Sequence, residues 1–351
     1  MLTTNEIKKQ MHLGNIEIEN LRENALNKPN SVDLSLGRYL YVFQSGLVDI
    51  RKSKDYQNEV LQEKPYYLKR IQIPETGLLL EPHKVYLAKT VEKVTTHGFI
   101  PVMHGKTALS LLGVGTELTS GYKEDEFSNH MLLSIVATKP TIIYPDIKIG
   151  NLVFFPSLNV LSFQNERYYS GMLSGMEIQE RMQKENPDIT ITPQDKILIN
   201  PNSVNLTLNE IIGVYEDPIL DIKKENKVKK IRIEDKGIMF YPDEVYLGRT
   251  NEWTETHNLV PMLSGRSSLG RNGIHVHCSA GLGSIGYQGY WHLGIRSVKP
   301  ILVFKDAKCC QIYYYTVEGT CEEEYLGHMQ RLPQDVLGSQ SHMAYTLKRK
   351  L

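Results

Sequence analysis

The chain carries one sequence pattern twice, and this repetition constrains its fold more than any other feature. Residues 82–155 match residues 242–315 at a constant shift of 160 positions without a gap. A match of this length at one fixed shift is the signature of a duplicated unit. We therefore predict two tandem domains, 1–170 and 171–351, each long enough to bury a core of its own.

The repeat unit has the pattern of β structure. KPNSVDLSLG (28–37) and its copy NPNSVNLTLN (200–209) alternate apolar and polar residues, and turn residues recur at short intervals, as in half-buried strands. A helical period is confined to the N-terminal segment, to residues 176–186 and to the short run after GRSS. Many short strands with polar turns predict a mainly β fold, a sandwich or a distorted barrel, in each repeat.

Charge and composition exclude a general attraction to nucleic acid or membranes. The 351 residues contain 40 Lys and Arg and 40 Asp and Glu, so any anion site must come from a local cluster. No apolar stretch reaches the roughly 18 residues of a membrane-spanning helix, and the polar start is unlike a signal peptide. The four cysteines lack CxxC spacing, which favours reduced thiols and a cytoplasmic protein.

The segment GRSSLGRNG (265–273) is the best candidate for binding chemistry. Its two arginines offer donors that suit phosphate oxygens, and its two serines add hydroxyl donors. These four residues are Arg266, Ser267, Ser268 and Arg271. The aligned segment of repeat one, GKTALSLLG (105–113), keeps only one cation and one hydroxyl at the four matching positions. Taken alone, the motif is also compatible with a surface turn that carries a solvated arginine.

A longer stretch around this motif is similar to a known signature. GRSSLGRNGIHVHCSAGLGSIGYQGYWHLGI (265–295) follows the motif of the dCTP deaminase and dUTPase superfamily without a gap, and residues 6–43 resemble the start of a dCTP deaminase. The resemblance covers nearly the whole chain and occurs twice. It implies two tandem dUTPase-like distorted β-barrel (β-clip) domains with short helices. It also implies a homotrimer with sites between subunits, or a pseudo-trimeric arrangement of the duplicated domains.

The resemblance further implies a ligand and the residues that hold it. The expected ligand is a pyrimidine deoxynucleoside triphosphate that carries its own Mg²⁺, without dedicated metal ligands in the protein. Three groups match those beside the reacting base and water: Ser267, Arg271 and the carbonyl of Ala280. Five residues match those that contact the phosphates and the deoxyribose: Arg266, Ser267, Ser268, Tyr287 and Gln311. Arg331, in the C-terminal arm, is a weaker match to a phosphate contact.

The carboxylates of the family's sites are missing. The deaminase general base aligns with Gly294 in HLGI, and the dUTPase aspartate aligns with Ser284. Deamination needs a group that takes a proton from water and gives one to ammonia, and glycine does neither. His292 lies two positions before Gly294, on the same strand face, and is either a substitute base or a packed histidine. Glu124 of repeat one is a second candidate base, or a solvated turn charge.

The sequence leaves three functions open. The first, which we favour, is a hydrolase that converts dCTP to dUTP and ammonia in repeat two, while repeat one is a degenerate copy. The second is a deoxynucleotide-binding sensor or regulator without turnover; a dUTP diphosphatase-like hydrolase is a related alternative. The third is a scaffold without a ligand. HVH (275–277) has the spacing of two metal ligands on one strand face. The family that the chain resembles carries a histidine at the second position without using it as a metal ligand, which favours a structural role.

Overall fold

The fold consists of two β barrels that repeat one order of strands. The structure, a computed structural model, describes residues 1–45, 48–116, 123, 126–157, 171–277, 280–321 and 325. The predicted mainly β fold class is confirmed. The predicted domain boundary between 170 and 171 stays a prediction, because residues 158–170 lie outside the described residues, as do Glu124 and Arg331. Among the described helices, none combines the length and the apolar character that crossing a bilayer requires.

Repeat one has eleven strands and three α-helices among its described residues. The strands are β1 (Ile16–Glu19), β2 (Val32–Ser35), β3 (Tyr39–Phe43), β4 (Leu68–Gln72), β5 (Leu78–Leu80), β6 (Tyr86–Thr96), β7 (Phe99–Gly105), β8 (Val114–Thr116), β9 (Ser128–Ala137), β10 (Thr141–Ile143) and β11 (Lys148–Pro156). The helices are α1 (Thr4–His12), α2 (Ser53–Gln62) and α3 (Thr107–Leu111), with a 3₁₀ turn at Ile50–Lys52.

Repeat two has thirteen strands and two α-helices among its described residues. The strands are β12 (Ile189–Thr192), β13 (Leu198–Asn200), β14 (Ser203–Thr207), β15 (Ile211–Tyr215), β16 (Leu220–Asp221), β17 (Val228–Arg232), β18 (Ile238–Phe240), β19 (Tyr246–Thr256), β20 (Leu259–Gly265), β21 (Ile274–Val276), β22 (Gln288–Ser297), β23 (Ile301–Val303) and β24 (Lys308–Thr316). The helices are α4 (Gly175–Met182) and α5 (Ser267–Arg271), with a 3₁₀ turn at Gln194–Lys196.

The two repeats share one sheet topology. The main sheet runs β4-β3-β6-β9-β8 in repeat one and β17-β15-β19-β22-β21 in repeat two, with β1 added to β6 and β12 added to β19. A second sheet runs β2-β11-β7 in repeat one and β13-β14-β24-β20 in repeat two. Along β6 the side chains alternate between buried and half-buried positions, as expected for a strand with one face on the core.

Two helix starts follow from capping residues in the sequence. Thr3 caps α1, because its Oγ1 accepts a hydrogen bond from the N–H of Glu6 at 3.3 Å. Ser174 and Glu177 form a reciprocal capping box at the start of α4. Each cap satisfies N–H groups that have no partner within the helix. The helical period predicted at 176–186 is therefore confirmed as α4, which ends earlier, at Met182.

Helix α2 is an element of repeat one that the sequence patterns did not predict. It lies in the connection between β3 and β4 and buries Tyr56 and Val60 against Leu132 of β9. The helix therefore covers the outward face of the main sheet of repeat one. Two buried residues four positions apart in an otherwise polar segment form too weak a helical period to be recognised.

Repeat two completes the core of repeat one. Strand β16 pairs in parallel with β10, with Leu220 opposite Thr141. Leu220 and Ile222 are buried in the core of repeat one. Tyr215 joins the same core, and its hydroxyl donates to the carbonyl of Leu111 at 3.2 Å. The matching strand of repeat two, β23, pairs only with β18 among the residues described, so the contact between the repeats is heterologous.

Candidate functional site

The four polar residues of the GRSSLGR segment lie on, or directly before, the short helix α5. Arg266 is half-buried, and its backbone N–H donates to the carbonyl of Cys309 at 3.3 Å. The other three, Ser267, Ser268 and Arg271, are exposed. Two cations and two hydroxyls therefore lie within residues 266–271, and three of the four are exposed to solvent.

Gln311 lies on the strand next to this segment. Strand β24 pairs with β20 so that Gln311 is opposite Ser264, two positions before Arg266. On its other side Gln311 is opposite Asn205, and its Oε1 accepts a hydrogen bond from Ser203 Oγ at 3.5 Å. The strand register thus places Gln311 beside the start of the motif. We call Arg266, Ser267, Ser268, Arg271 and Gln311 the α5 corner.

Ala280 and Tyr287 flank a loop that contacts repeat one. Both residues are buried. Between them, the carbonyl of Gly283 accepts a hydrogen bond from Asn30 Nδ2 of repeat one at 3.3 Å. The ring of Tyr287 packs 4.7 Å from the ring of Trp291, and burial raises the pKa of its hydroxyl. The loop that the resemblance assigns to the base and the sugar therefore meets the other repeat.

Gly294, which the resemblance aligns with the family's general base, packs directly against repeat one. Helix α3 lies on β22. A Cβ atom at position 294 would meet the carbonyl of Ser110, 2.9 Å from its carbon, and would lie 3.2 Å from the Cα of Leu111. Separations this short against backbone atoms leave no space for a side chain, so the glycine is required by the packing of the two repeats.

His292 lies on the same outward face of β22 as Gly294. Its side chain is buried, with 4% of its surface exposed, and it is opposite Arg249 in the strand register. Burial, together with the charges of Arg249 and His277, lowers the pKa of His292 to about 4. The imidazole is therefore neutral at pH 7 and a weaker proton acceptor than an ordinary histidine.

The predicted site residues thus fall into two groups. Helix α5 packs on β21 of its own repeat, whereas the face of β22 that carries His292 packs on α3 of repeat one. The structure brings five of the predicted residues together at the α5 corner. The remaining three lie in or beside the part of repeat two that meets repeat one: Ala280, Tyr287 and His292.

The HVH segment does not form part of a metal cluster among the described residues. His277 is buried and its pKa is lowered to about 4 by burial, while His275 is exposed. No group of three or more His, Cys, Asp or Glu side chains within the described ranges could hold a metal ion.

An apolar cavity of about 420 Å³ lies beside α5 but has little of the chemistry expected for phosphates. Its lining includes Leu269, Phe240, Ile301 and Val303. Ile301–Val303 align with β10 of repeat one, the strand that pairs with Leu220 of repeat two. The cavity is therefore the repeat-two counterpart of a packing site between repeats, and it is distinct from the α5 corner.

A group of three lysines in repeat one is a candidate binding feature that the sequence patterns did not reveal. Lys28, Lys106 and Lys148 converge on the carboxylate of Asp33. Two of the lysines could have been recognised from the sequence, because Lys106 and Lys148 align with the cationic residues Arg266 and Lys308 of repeat two. Lys28 could not, since it aligns with an asparagine.

Comparison with known proteins relates the chain to one family. A family model described as dCTP deaminase-like matches residues 1–157 and again residues 172–317. A "dCTP deaminase, dUMP-forming" from Leptospira biflexa is 48% identical over 159 residues, which cover 45% of this chain and 90% of that protein. The protein of the same description from Hathewaya histolytica is also 48% identical over 159 residues, covering 91% of its length.

A solved structure extends the likeness to both repeats at the level of fold. The crystal structure of a 2'-deoxycytidine 5'-triphosphate deaminase from Agrobacterium tumefaciens superposes with a TM-score of 0.71 and covers 92% of this chain and 98% of that chain. Its sequence is only 15% identical, so the likeness establishes the arrangement of the fold and not the chemistry of the site.

Proposed function

The chain belongs to the dCTP deaminase-like family, and from this we propose that it binds a pyrimidine deoxynucleoside triphosphate at the α5 corner of repeat two. The observation that carries the proposal is that two arginines and two serines lie on or directly before α5, and that Gln311 is opposite Ser264 on the neighbouring strand. Guanidinium groups bind phosphate oxygens in a bidentate manner, and hydroxyls complete the hydrogen bonding. Mg²⁺ would arrive with the triphosphate, as part of the ligand.

We further propose that binding occurs without deamination by the route of the family. That route needs a carboxylate at position 294, and the backbone of Ser110 and Leu111 fills the space next to Gly294. Without a group that accepts the proton of water and delivers one to the leaving ammonia, a factor of about 10²–10⁴ in rate is lost. The phosphate-binding groups of the α5 corner, together with the absence of a carboxylate at position 294, support a sensor or a regulator of deoxynucleotide levels.

Deamination is the second candidate function, favoured by the position of His292. Water would add to C4 of cytosine and ammonia would leave, giving dUTP, while His292 accepts the proton of the water and returns it to the ammonia. The imidazole is neutral at pH 7 and lies two positions from Gly294 on one strand face. The names of the relatives add dUMP as a product to be measured, since it would signal diphosphatase chemistry as well.

The heterologous contact between the repeats supports a pseudo-trimeric arrangement. Heterologous contacts build rings when the rotation closes, and the two repeats would occupy two of three positions. A homotrimer stays a prediction that light scattering tests, by a mass three times the 40.1 kDa of one chain. A cytoplasmic location also stays a prediction.

Titration calorimetry with dCTP and dUTP in Mg²⁺ tests the proposed function, with Arg266→Ala as the test variant and Arg232→Ala as its matched control. Arg232 is an exposed arginine on β17, paired with Glu210. We expect Arg266→Ala to weaken binding at least about 10-fold, because a charge-assisted bond is lost, and Arg232→Ala to bind normally. Equal affinity in the two variants would refute the α5 corner as the binding site.

Product analysis on the same samples separates the two candidate functions. Ammonia and dUTP or dUMP formed by the wild-type chain, and lost in His292→Asn, would establish turnover with His292 as the base. Binding without any product supports the sensor.

A further inference from the structure

Three lysine side chains of repeat one, which we call the lysine cluster, surround a single carboxylate. Lys106 Nζ lies 2.7 Å from Asp33 Oδ1, and Lys148 Nζ lies 2.7 Å from Asp33 Oδ2. Lys28 Nζ lies 3.7 Å from Asp33 Oδ1. The Oδ1 atom of Asn151 accepts hydrogen bonds from Lys28 at 2.9 Å and from Lys106 at 3.1 Å. The four elements that meet here are the segment before β2, β2 itself, the start of α3, and β11.

The lysine cluster has more positive charge than its surroundings neutralise. Asp33 supplies one negative charge against three ammonium groups, and Asn151 supplies only a dipole. Burial, followed by repulsion from Lys106, lowers the pKa of Lys28 to about 7 despite the attraction of Asp33. A nearby like charge disfavours the charged form of a group, so an anion bound among the lysines would favour their charged forms.

The cluster remains open to solvent on one side. The exposed fractions of the side chains are 25% for Lys28, 14% for Lys106 and 44% for Lys148, against 6% for Asp33. Each ammonium has three N–H donors, and the contacts above leave several of them unused. Asp33 is the least exposed of the four side chains, so the lysines are more accessible to an anion from solvent than the carboxylate is.

The cluster lies at the repeat-one counterpart of the α5 corner. Lys106 directly precedes α3 as Arg266 precedes α5, and Asn151 occupies the strand position of Gln311. Lys28 is the addition, since repeat two has Asn200 in the aligned position. Repeat one has thus lost the arginines and serines of its motif but has gathered cations from other parts of its chain.

We propose that the lysine cluster is a second anion site, which binds a phosphate-bearing ligand in repeat one. A doubly charged tetrahedral oxyanion matches the net charge of the three lysines and Asp33, and compact ammonium groups bind such an anion as point charges. The ligand is either the phosphate tail of a nucleotide or a free polyphosphate. The site is separate from the α5 corner and does not depend on the function proposed for it.

Titration calorimetry on the Arg266→Ala chain isolates this site from the α5 corner. Inorganic pyrophosphate, tripolyphosphate and dCTP are the probes. Lys28→Met, added to that background, keeps the length of the side chain and removes its charge; Lys69→Met, at an exposed position on β4, is the matched control. We expect Lys28→Met to weaken pyrophosphate binding about 10- to 100-fold, as for the loss of a charge-assisted bond, and Lys69→Met to leave it unchanged. Thermal unfolding of each variant verifies that it is folded.

The outcomes distinguish this proposal from the proposed function. Loss of all binding in Arg266→Ala alone overturns the second site and leaves the α5 corner intact. Binding that survives Arg266→Ala but falls with Lys28→Met supports the second site, whatever happens at the α5 corner. Tighter binding of dCTP than of tripolyphosphate to the Arg266→Ala chain identifies a nucleotide as the ligand, whereas equal affinities identify a free polyphosphate.

A pH series with sulfate distinguishes anion binding by Lys28 from a purely structural role of this residue. Sulfate keeps its charge between pH 6 and 8.5, so a change in its affinity reports on the protein. The groups that face Lys28 are Asp33, Lys106 and Lys148. We expect several-fold tighter sulfate binding at pH 6, where Lys28 is charged, and loss of this difference in Lys28→Met. Affinity for sulfate that is independent of pH in both proteins contradicts the proposal.

Discussion

The carbonyl of Ser110 in repeat one faces the Cα of Gly294 in repeat two so closely that a Cβ atom at position 294 would lie 2.9 Å from the carbonyl carbon. The position that the resemblance aligns with the family's general base is a contact between two backbones. A carboxylate side chain at this position is therefore incompatible with the observed packing of the two repeats.

A single methyl group at this contact should destabilise the protein. We expect Gly294→Ala to lower the free energy of unfolding by about 1–3 kcal/mol, the usual cost of overpacking. Gly270→Ala is the matched control, since a Cβ at Gly270 meets nothing within 4 Å and alanine favours the helix. Urea unfolding measures both. Equal stability of the two variants would show that the repeats separate easily at this point.

The packing of β16 against repeat one should depend on Leu220. This side chain is fully buried in the core of repeat one, whereas its neighbour Ile219 is 46% exposed. We expect Leu220→Ala to cost about 2–5 kcal/mol and Ile219→Ala to cost little. Hydrogen exchange should show the loss of protection in β10 of repeat one, which pairs with β16. Protection lost only within repeat two would contradict the arrangement.

The lysine cluster should make stability depend on pH in the neutral to alkaline range. The pKa of Lys28 is lowered to about 7 in the folded state and returns to about 10.4 on unfolding. Between these values the unfolded chain binds more protons, so stability rises with pH. We expect the free energy of unfolding, without added anions, to rise by at least about 1 kcal/mol more between pH 6.5 and 9 in the wild type than in Lys28→Met. Identical profiles would mean that burial and the neighbouring charges do not lower the pKa of Lys28.

Buried neutral histidines should make the protein sensitive to acid. The pKa values of His104, His277 and His292 are each lowered to about 4, chiefly by burial, while histidines in the unfolded chain titrate near about 6.5. The unfolded state therefore binds more protons between pH 4 and 6.5, and stability falls as the pH is lowered through this range. Histidine-selective NMR should find the His292 ring neutral at pH 5.5. A charged ring at that pH would contradict its burial.

Much of the fold could be predicted because the information is local. SVDLSLG and its copy SVNLTLN have the alternation typical of strands and form β2 and β14, which lie in equivalent sheets, although both faces of β2 are buried. The shift of 160 residues indicates the same topology twice. Helix α2 was not predicted, because its stability depends on the tertiary contacts of Tyr56 and Val60 more than on a helical period of apolar residues.

The site was predictable only in part, for a geometrical reason. Gln311 is placed opposite Ser264, two positions before Arg266, by strand register, and both Arg266 and Gln311 lie in segments that resemble the family's motifs. The approach of Ser110 to Gly294 depends on how two barrels dock, and Lys28 reaches Asn151 across 123 positions of the chain. Neither relation leaves a pattern in one sequence.

Because synthesis proceeds from the N-terminus, strand β16 is made after all the strands of repeat one, whose sheet it joins. The sheet of repeat one that contains β5 and β10 lacks its third strand until Leu220 and Asp221 have been synthesised. The first barrel therefore receives part of its core from a strand encoded well inside the second. A leading half translated on its own would expose the part of this core that Leu220 and Ile222 cover.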